Sequence, residues 1–152
     1  MADRSEGLPG SVLFACTHNA LRSPIAAALM RSLHGRRVFV DSVGLRPEPL
    51  DPFAAAVAGE IGIDLSGHHP KSFEELEDDY FDLVISLSPE AHHRAVELTR
   101  TSSTEIEFWP VMDPTLVEGN REVRLDAYRE LRDHLLAHLR ARFPPERAPV
   151  MS

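Results

Sequence analysis

Residues 11–30, SVLFACTHNALRSPIAAALM, decide how the rest of the chain is interpreted. Ser11 to Ala15 form a short apolar run, which is typical of a strand buried on both faces. Ser23 and Pro24 signal the start of a helix, because a serine hydroxyl caps free backbone N–H groups and proline is favoured in the first helical turn. The stretch therefore predicts a buried strand, a loop over residues 16–22 and a helix.

The predicted loop begins with Cys16 and ends with Arg22. Backbone N–H groups in a tight strand-to-helix turn converge on one point, and the helix N-terminus adds about half a positive charge. A sulfur beside such a turn would be held as the thiolate, and a guanidinium can hold two oxygens of a tetrahedral oxyanion. These groups predict a site that attacks a phosphate ester or binds arsenate. The alternative is that Cys16 is a small buried hydrophobe and Arg22 a solvated first-turn residue.

The rest of the chain alternates predicted strands and helices. Further predicted strands cover residues 36–42, 80–87 and 105–109, and predicted helices cover 23–35, 52–61, 72–79, 89–100 and 122–143. Asp51-Pro52 and Ser88-Pro89 repeat the helix-start signal. This alternation predicts an α/β fold with a parallel sheet that is covered on both faces. Ligands of such sheets bind beyond the carboxyl ends of the strands, where Cys16 is expected.

Composition excludes several classes of protein. The 152 residues suffice for one domain, and the net charge of −8 argues against a nucleic-acid or anionic-membrane surface. One cysteine cannot form an intramolecular disulfide or a cysteine-only metal site. No signal peptide or membrane-length apolar run is evident, so we expect a cytoplasmic protein. The expected organisation is a flexible leader at 1–10, a domain at 11–143 and a flexible tail at 144–152.

Asp113 is the candidate acid and base. Hydrolysis through a cysteine needs a proton donor for the leaving oxygen and then a base for the attacking water, and one carboxyl can serve both steps. Asp113 precedes Pro114 in a predicted loop, residues 110–119, that follows the last strand. Aspartate before proline is equally typical of a turn, so the residues alone leave both interpretations open.

The segment CTHNALRSPIAAA at residues 16–28 resembles the signature loop of the low-molecular-weight protein tyrosine phosphatases and of the thiol-dependent arsenate reductases that share their fold. Further similarities, in the same order, are DSVG at 41–44, GIDLSGH at 62–68 and the Asp113-Pro114 pair. The resemblance covers roughly residues 11–143. It implies a flavodoxin-like three-layer sandwich built on a four-stranded parallel sheet.

The resemblance also implies roles for individual residues. Cys16 would be the nucleophile, Arg22 would bind the phosphate, and Asp113 would be the general acid. Ser42 and His68 would be partners of Asn19, a residue type that tolerates a left-handed backbone; a strand-end hydroxyl and an exposed loop histidine are the alternatives. The predicted phosphate-binding loop consists of Thr17, His18, Asn19, Ala20, Leu21, Arg22 and Ser23. The Ser23 hydroxyl would stabilise the thiolate as well as cap the helix.

The chain departs from the family pattern at the mouth of the site. Leu21 stands where many of these phosphatases carry a second cysteine, and Thr115 and Leu116 stand where others carry tyrosines. The expected ligand is phosphate or another tetrahedral oxyanion, carried by a phosphorylated protein or a small phosphate ester. No cofactor, nucleic acid or membrane is expected, and His134 and His138 lack a third residue for a metal site.

Two other functions compete with cysteine-dependent phosphatase activity. The first is arsenate reduction with an external small thiol, because the chain has no further cysteine to relay a disulfide. The second is a phosphate-binding module without catalysis. The presence of Cys16, Arg22 and Asp113 together argues against this module, since binding alone needs neither a nucleophile nor an acid.

Overall fold

The apolar run Ser11–Cys16 forms strand β1, which has a parallel neighbour on each side. A computed structural model describes residues 7–78 and 80–145 of the chain. The other strands are β2 (Phe39–Gly44), β3 (Leu83–Ser86) and β4 (Glu105–Phe108), in the sheet order β2-β1-β3-β4. The helices are α1 (Arg22–His34), α2 (Pro52–Gly59), α3 (Pro89–Thr99) and α4 (Arg121–Arg142).

Side chains of β1 alternate between two apolar layers. Val12 and Phe14 are fully buried in a cluster with residues of α1, α2 and α4. Leu13 and Ala15 belong to a second cluster, which contains residues of α3. Because successive strand residues point to opposite faces, these clusters lie on the two sides of the sheet. The predicted three-layer α/β sandwich with a four-stranded parallel sheet is confirmed.

The sheet order places a crevice at the end of β1. The connection from β1 leads to β2 on one side, whereas the connection from β3 leads to β4 on the other. Ligands of parallel sheets bind where the connections diverge, beyond the carboxyl ends of the strands. The registers pair Cys16 with Gly44 and Ala15 with Ser86, so the ends of three strands meet beside Cys16.

Helix α4 closes the larger apolar layer. Its buried face contains the predicted residues Leu125, Tyr128, Leu131, Leu135 and Leu139, spaced by three or four positions. This spacing places them in one stripe along the helix. The remaining face is rich in charge, which explains why the helical pattern is clear in the sequence.

Two of the three helix-start signals form the expected caps. The Asp51 carboxylate accepts from the backbone N–H of Phe53 at 2.8 Å, and the Ser88 hydroxyl accepts from that of Ala91 at 3.3 Å. The predicted cap at Ser23 is wrong, because α1 already begins at Arg22 and has no side-chain cap. The Ser23 hydroxyl is instead engaged by the loop, as described below.

Strands β2 and β3 begin later than predicted, at Phe39 and Leu83 instead of residues 36 and 80. Backbone N–H groups of Arg37 and Val38 donate to the His34 carbonyl, which prolongs the turn after α1 and delays β2 to Phe39. At β3, the Asp82 N–H donates to the Ser11 hydroxyl rather than to a ladder carbonyl. The pattern of apolar residues in the sequence does not reveal hydrogen bonds of this kind.

The predicted acidic helix at 72–79 is a single 3₁₀ turn, Phe73–Glu75. Leu76 takes an extended backbone with φ −64° and ψ 131°, which ends the turn. Phe73 is the buried residue of this turn, so a longer helix would have no second apolar row to bury. Asp79, the predicted end of that helix, lies outside the described residues. A second 3₁₀ turn, Pro114–Leu116, lies within the predicted loop at 110–119.

The predicted termini fall partly outside the described residues. Residues 1–6 of the leader and 146–152 of the tail are not described. Leu8 packs against the larger apolar cluster, and the Gly10 N–H donates to the Asp82 carboxylate at 2.7 Å. Across the described ranges, no helix has both the length and the hydropathy needed to cross a bilayer.

Leu139→Ala should destabilise the fold strongly. Leu139 is fully buried in the larger apolar cluster, so truncation leaves a cavity that costs about 2–5 kcal/mol of unfolding free energy. Urea denaturation followed by circular dichroism measures this loss. Leu98→Ala is the matched control, since Leu98 is 49% exposed. Equal losses in the two variants would contradict the assigned core.

Candidate active site

The loop after β1 turns sharply at Asn19. Its φ of 52° lies in the left-handed region, and it is the one non-glycine residue with positive φ in the described chain. Asparagine is among the few residue types that adopt this conformation readily, because its short amide bonds locally. Asn19 is fully buried, so its amide needs partners within the protein.

Both polar atoms of the Asn19 side chain have hydrogen-bond partners. The Nδ2 group donates to the hydroxyls of Ser23 at 2.8 Å and Ser42 at 3.0 Å. The Oδ1 atom accepts from the backbone N–H of Lys71 at 3.0 Å. The predicted contact with Ser42 is therefore present, and the bond from Lys71 is an addition that the sequence did not indicate.

His68 reaches the same asparagine through the backbone. Its Nε2 lies 2.8 Å from the Asn19 carbonyl oxygen, to which it donates as a neutral imidazole. Burial lowers the pKa of His68, and the hydrogen bond to Asn19 opposes that shift only in part. The ring is therefore uncharged at neutral pH and braces the turn without adding charge beside the site.

The sulfur of Cys16 lies inside this turn with 2% of the residue exposed. It accepts from the Asn19 N–H at 3.2 Å, and the Ser23 hydroxyl lies 2.9 Å away. Since Ser23 Oγ already accepts from Asn19, its one proton is available to two acceptors, the sulfur and the Val43 carbonyl oxygen, which lies farther away at 3.3 Å. Hydrogen bonds to the charged form favour that form, so the arrangement stabilises a thiolate.

The loop also presents unused backbone donors. Among the described residues, no acceptor takes the N–H groups of His18, Ala20, Leu21 and Arg22. Buried N–H groups without a protein partner are rare, and here they sit between Cys16 and the start of α1. Such a group of amides binds a tetrahedral oxyanion well, because it places several donors around one centre.

Arg22 is buried next to these amides and has no ion pair in the described part of the chain. Its Nη1 donates to the Val111 carbonyl at 3.1 Å, which leaves other guanidinium donors for a ligand. Val111 lies two residues before Asp113, so this bond ties the loop to the segment that carries the candidate acid. The sequence did not indicate this contact.

Asp113 opens the second 3₁₀ turn. Its Oδ1 accepts from the backbone N–H of Thr115 at 2.9 Å and from the Thr115 hydroxyl at 2.7 Å. Its Oδ2 atom has no hydrogen-bond partner within residues 7–78 and 80–145. Asp113 is therefore a turn residue, the alternative that the sequence left open, and it also keeps one oxygen available.

Cys16 and Asp113 line the same cleft of about 310 Å³. Four residues of the predicted phosphate-binding loop line it too, namely His18, Ala20, Leu21 and Arg22, and so do Glu48, Asp51 and Thr115. The other predicted loop residues face the protein: Asn19 and Ser23 hold the turn, and the Thr17 hydroxyl donates to that of Ser88 at 3.0 Å. The structure thus separates residues that face a ligand from residues that hold the loop.

Gly44 contributes to the loop by having no side chain. A Cβ atom at this position would lie 2.6 Å from the Asn19 backbone nitrogen and 2.8 Å from the His18 carbonyl carbon. These contacts are backbone contacts, so the loop would have to move. The end of β2 therefore needs glycine because the cysteine loop lies directly against it.

Tyr128 connects α4 to the cleft wall. Its hydroxyl donates to Asp51 Oδ2 at 2.5 Å. Burial, with a further contribution from this hydrogen bond, raises the pKa of Tyr128, so it remains a neutral donor. The helical spacing predicted Tyr128 only as a core residue. Its role at the cleft depends on a contact between residues that are 77 positions apart.

The two histidines of α4 contact each other, and one of them contacts Trp109. Their ring centroids are 6.1 Å apart, and His138 stacks on Trp109 at 3.7 Å. Over the described ranges, no three His, Cys, Asp or Glu side chains come together in a way that suits a metal ion.

A sequence model of the family described as low molecular weight phosphotyrosine protein phosphatase matches residues 11–142. The chain belongs to this family. This confirms the resemblance drawn from the loop and from the three later motifs.

Curated relatives include reductases and phosphatases. The arsenate reductase of Halalkalibacterium halodurans is 29% identical over 124 residues, which cover 82% of this chain and 88% of that enzyme. The glutaredoxin arsenate reductase of Synechocystis sp. is 37% identical over 76 residues, covering 50% and 58%. The low molecular weight protein-tyrosine-phosphatase Etp of Escherichia coli K12 is 37% identical over 82 residues, covering 53% and 55%. The last two matches therefore span little more than half of those relatives.

Solved structures with a similar fold also include both arsenate reductases and phosphatases. An arsenate reductase in its phosphate-binding state superposes with a TM-score of 0.72 at 28% identity, covering 86% of this chain and 94% of that chain. The YwlE arginine phosphatase from Geobacillus stearothermophilus superposes with a TM-score of 0.72 at 25% identity, covering 88% and 90%. Family membership thus supports an enzyme with a phosphate or related oxyanion as its ligand.

Ser23→Ala should slow alkylation of Cys16 at neutral pH by about tenfold, because a hydrogen bond to a charged group contributes about 1.5–3 kcal/mol and each 1.4 kcal/mol is a factor of ten. Iodoacetamide modification followed by mass spectrometry measures the rate. Ser88→Ala is the control, since Ser88 contacts the loop through Thr17 and does not contact the sulfur. Unchanged alkylation in Ser23→Ala would contradict the assigned bond.

His68→Gln should weaken the pH dependence of stability. Because folding lowers the pKa of His68, the unfolded chain binds the proton more readily, and stability falls as the pH drops below about 6.5. Glutamine keeps an N–H donor but does not titrate. Urea unfolding between about pH 7.5 and 5.5 should therefore show a shallower loss than in the wild type. An unchanged slope in His68→Gln would contradict this assignment.

Proposed function

We propose that the protein is a cysteine-dependent phosphatase that hydrolyses phosphate monoesters through a cysteinyl-phosphate intermediate. The observation that carries this proposal is the single cleft in which Cys16, Arg22 and Asp113 meet beside unused backbone donors. A nucleophile, an anion site and a proton donor are the three parts that this reaction needs.

In the first step, the Cys16 thiolate attacks the phosphorus of the bound ester. The S–P bond forms while the bond from phosphorus to the leaving oxygen breaks. Asp113 gives its proton to that oxygen, so the product leaves as an alcohol or phenol. The loop N–H groups and Arg22 hold the other phosphoryl oxygens and stabilise the charge that they carry in the transition state.

In the second step, Asp113 acts as the base. Its carboxylate takes a proton from a water molecule whose oxygen attacks the phosphorus, and the S–P bond breaks. Inorganic phosphate leaves, and the thiolate and the protonated carboxyl are restored. The bonds from Asn19 and Ser23 to the sulfur make the thiolate a better leaving group, because they stabilise its charge.

The lining of the cleft supports an ester as substrate. The cleft extends beyond the cysteine loop, because Glu48, Asp51 and Thr115 also line its volume of about 310 Å³. These side chains leave a place for the first part of a leaving group next to the phosphoryl group. We infer that the substrate is a phosphorylated protein, with phosphotyrosine as the first candidate, or a small phosphate ester, and that the protein acts in the cytoplasm, where a lone thiol stays reduced.

Arsenate reduction is the second candidate, favoured by the named reductases among the relatives. Cys16 would attack arsenate and release water from the adduct. An external small thiol would then attack the adduct, and two electrons from thiol sulfur would reduce arsenic(V) to arsenic(III) as a disulfide forms. A second external thiol would regenerate Cys16, since the chain has no other cysteine.

The direct test is p-nitrophenyl phosphate hydrolysis without added metal. Wild-type protein should release nitrophenol, and Cys16→Ser should abolish turnover. Asp113→Asn should lower kcat by about 10²–10⁴, the usual contribution of a general acid or base.

Glu118→Gln is the matched control for the acid, because Glu118 is an exposed carboxyl in the same segment. It should retain wild-type turnover. If the wild type is inactive while its thiol alkylates readily, the phosphatase proposal fails, and arsenate reduction with glutathione-like thiols becomes the assay.

A further inference from the structure

Two arginines lie beside the mouth of the cleft. The guanidinium of Arg121 is 5.1 Å from the centre of the Phe53 ring, and that of Arg124 is 4.8 Å from the same ring. Cations within about 6 Å of an aromatic ring are attracted by its π-electrons. Phe53 therefore holds two positive charges close together on an exposed surface.

Neither guanidinium is neutralised. In the described part of the chain, no carboxylate forms an ion pair with Arg121 or Arg124. Arg129, on the same helix, is by contrast surrounded by Glu60, Glu122 and Asp126. The pair near Phe53 is thus an unbalanced positive patch in a chain whose net charge is −8.

The position of these arginines opposes local stability. Both lie in the first turns of α4, where the helix dipole disfavours cations. Acidic residues are the usual choice at such positions, so the arginines violate a local rule, and their contacts with the Phe53 ring offset only part of the cost. Violations of this kind are typical of functional sites.

The patch adjoins the cleft through two contacts. Phe53 follows Asp51, a residue of the cleft wall, and its N–H donates to the Asp51 carboxylate. The Phe53 ring also packs edge-on against Tyr128 at 5.4 Å, and the Tyr128 hydroxyl donates to the same carboxylate. The arginines do not line the cleft itself, so they lie one layer outside the site of phosphate binding.

We propose that Arg121 and Arg124 form a second anion subsite, which binds acidic residues that flank the phosphorylated residue of a protein substrate. This inference rests on the proposed phosphatase function. A small ester would lie within the cleft and end there, whereas an extended peptide advances about 3.3–3.6 Å per residue and passes the mouth within a few residues. Guanidinium groups bind carboxylates in a two-pronged geometry, which suits an acidic peptide.

The cleft wall itself is acidic, because Glu48 and Asp51 both line it. The Glu48 carboxylate lies 3.5 Å from His18 Nδ1, and the Asp51 carboxylate accepts from the Phe53 N–H. Positive charge is therefore found on the surface outside the cleft, at Arg121 and Arg124. A peptide with acidic residues over these two arginines matches this arrangement better than one with acidic residues inside the cleft.

The test compares two phosphotyrosine peptides that differ only in having Glu or Gln at the second to fourth positions on both sides. For the wild type, kcat/KM should be about fivefold higher for the Glu peptide, as expected for exposed ion pairs, and the difference should shrink at high salt. The double variant Arg121→Gln/Arg124→Gln should lose this preference, mainly through KM. Arg140→Gln, an exposed arginine in the last turn of the same helix, should retain it.

The same peptides are also titrated against Cys16→Ser, which binds without turnover. The subsite is overturned if the wild type has equal kcat/KM for the Glu and Gln peptides. It is also overturned if the double variant still prefers the Glu peptide. If p-nitrophenyl phosphate is not hydrolysed, the proposed function fails on its own. In that case equal binding of the two peptides to Cys16→Ser would overturn the subsite as well, and tighter binding of the Glu peptide would support it.

Discussion

The site depends on one residue in an uncommon backbone conformation. Asn19 turns the loop into the left-handed region, and this turn brings its own N–H to the Cys16 sulfur. The same turn leaves neighbouring N–H groups without acceptors in the described part of the chain, which is costly unless a ligand or water accepts from them. A buried amide with three hydrogen-bond partners holds the conformation. A strained backbone conformation of this kind persists only where several surrounding contacts hold it in place.

Those surroundings come from distant parts of the chain. Ser42 lies on β2, His68 and Lys71 lie in the segment that follows α2, and Ser23 belongs to α1. Gly44 permits the close approach of β2, since any side chain there would collide with the loop backbone. The parallel sheet thus does more than display the cysteine. It places the ends of neighbouring strands where they can lock the loop before a ligand arrives, as electrostatic preorganisation requires.

Much of the fold was predictable because its signals are local. The apolar run of β1, the stripe on α4 and the caps at Asp51 and Ser88 each depend on residues within a few positions of one another. Ser23 shows where such signals fail. Serine before proline predicts a cap, but a hydroxyl beside a buried sulfur and a buried amide has stronger partners than the free N–H groups of a helix end.

The parts of the site that the sequence did not indicate are long-range contacts. The bond from Arg22 to the Val111 carbonyl joins residues 89 positions apart, and the contact of Tyr128 with Asp51 spans 77. No periodicity or motif encodes either contact. The resemblance to the family supplied Asp113 as the acid, whereas its free oxygen in the same cleft as Cys16 emerges only from the folded chain.

The central claim is that Cys16 becomes phosphorylated during turnover. The most direct measurement is rapid acid quenching of wild-type protein with p-nitrophenyl phosphate, followed by mass spectrometry of the peptide that contains Cys16. The account predicts that this peptide gains the mass of one phosphoryl group, and that the gain disappears when Cys16 is first alkylated. Turnover with no phosphoryl group on Cys16, or with one on a histidine instead, would contradict it.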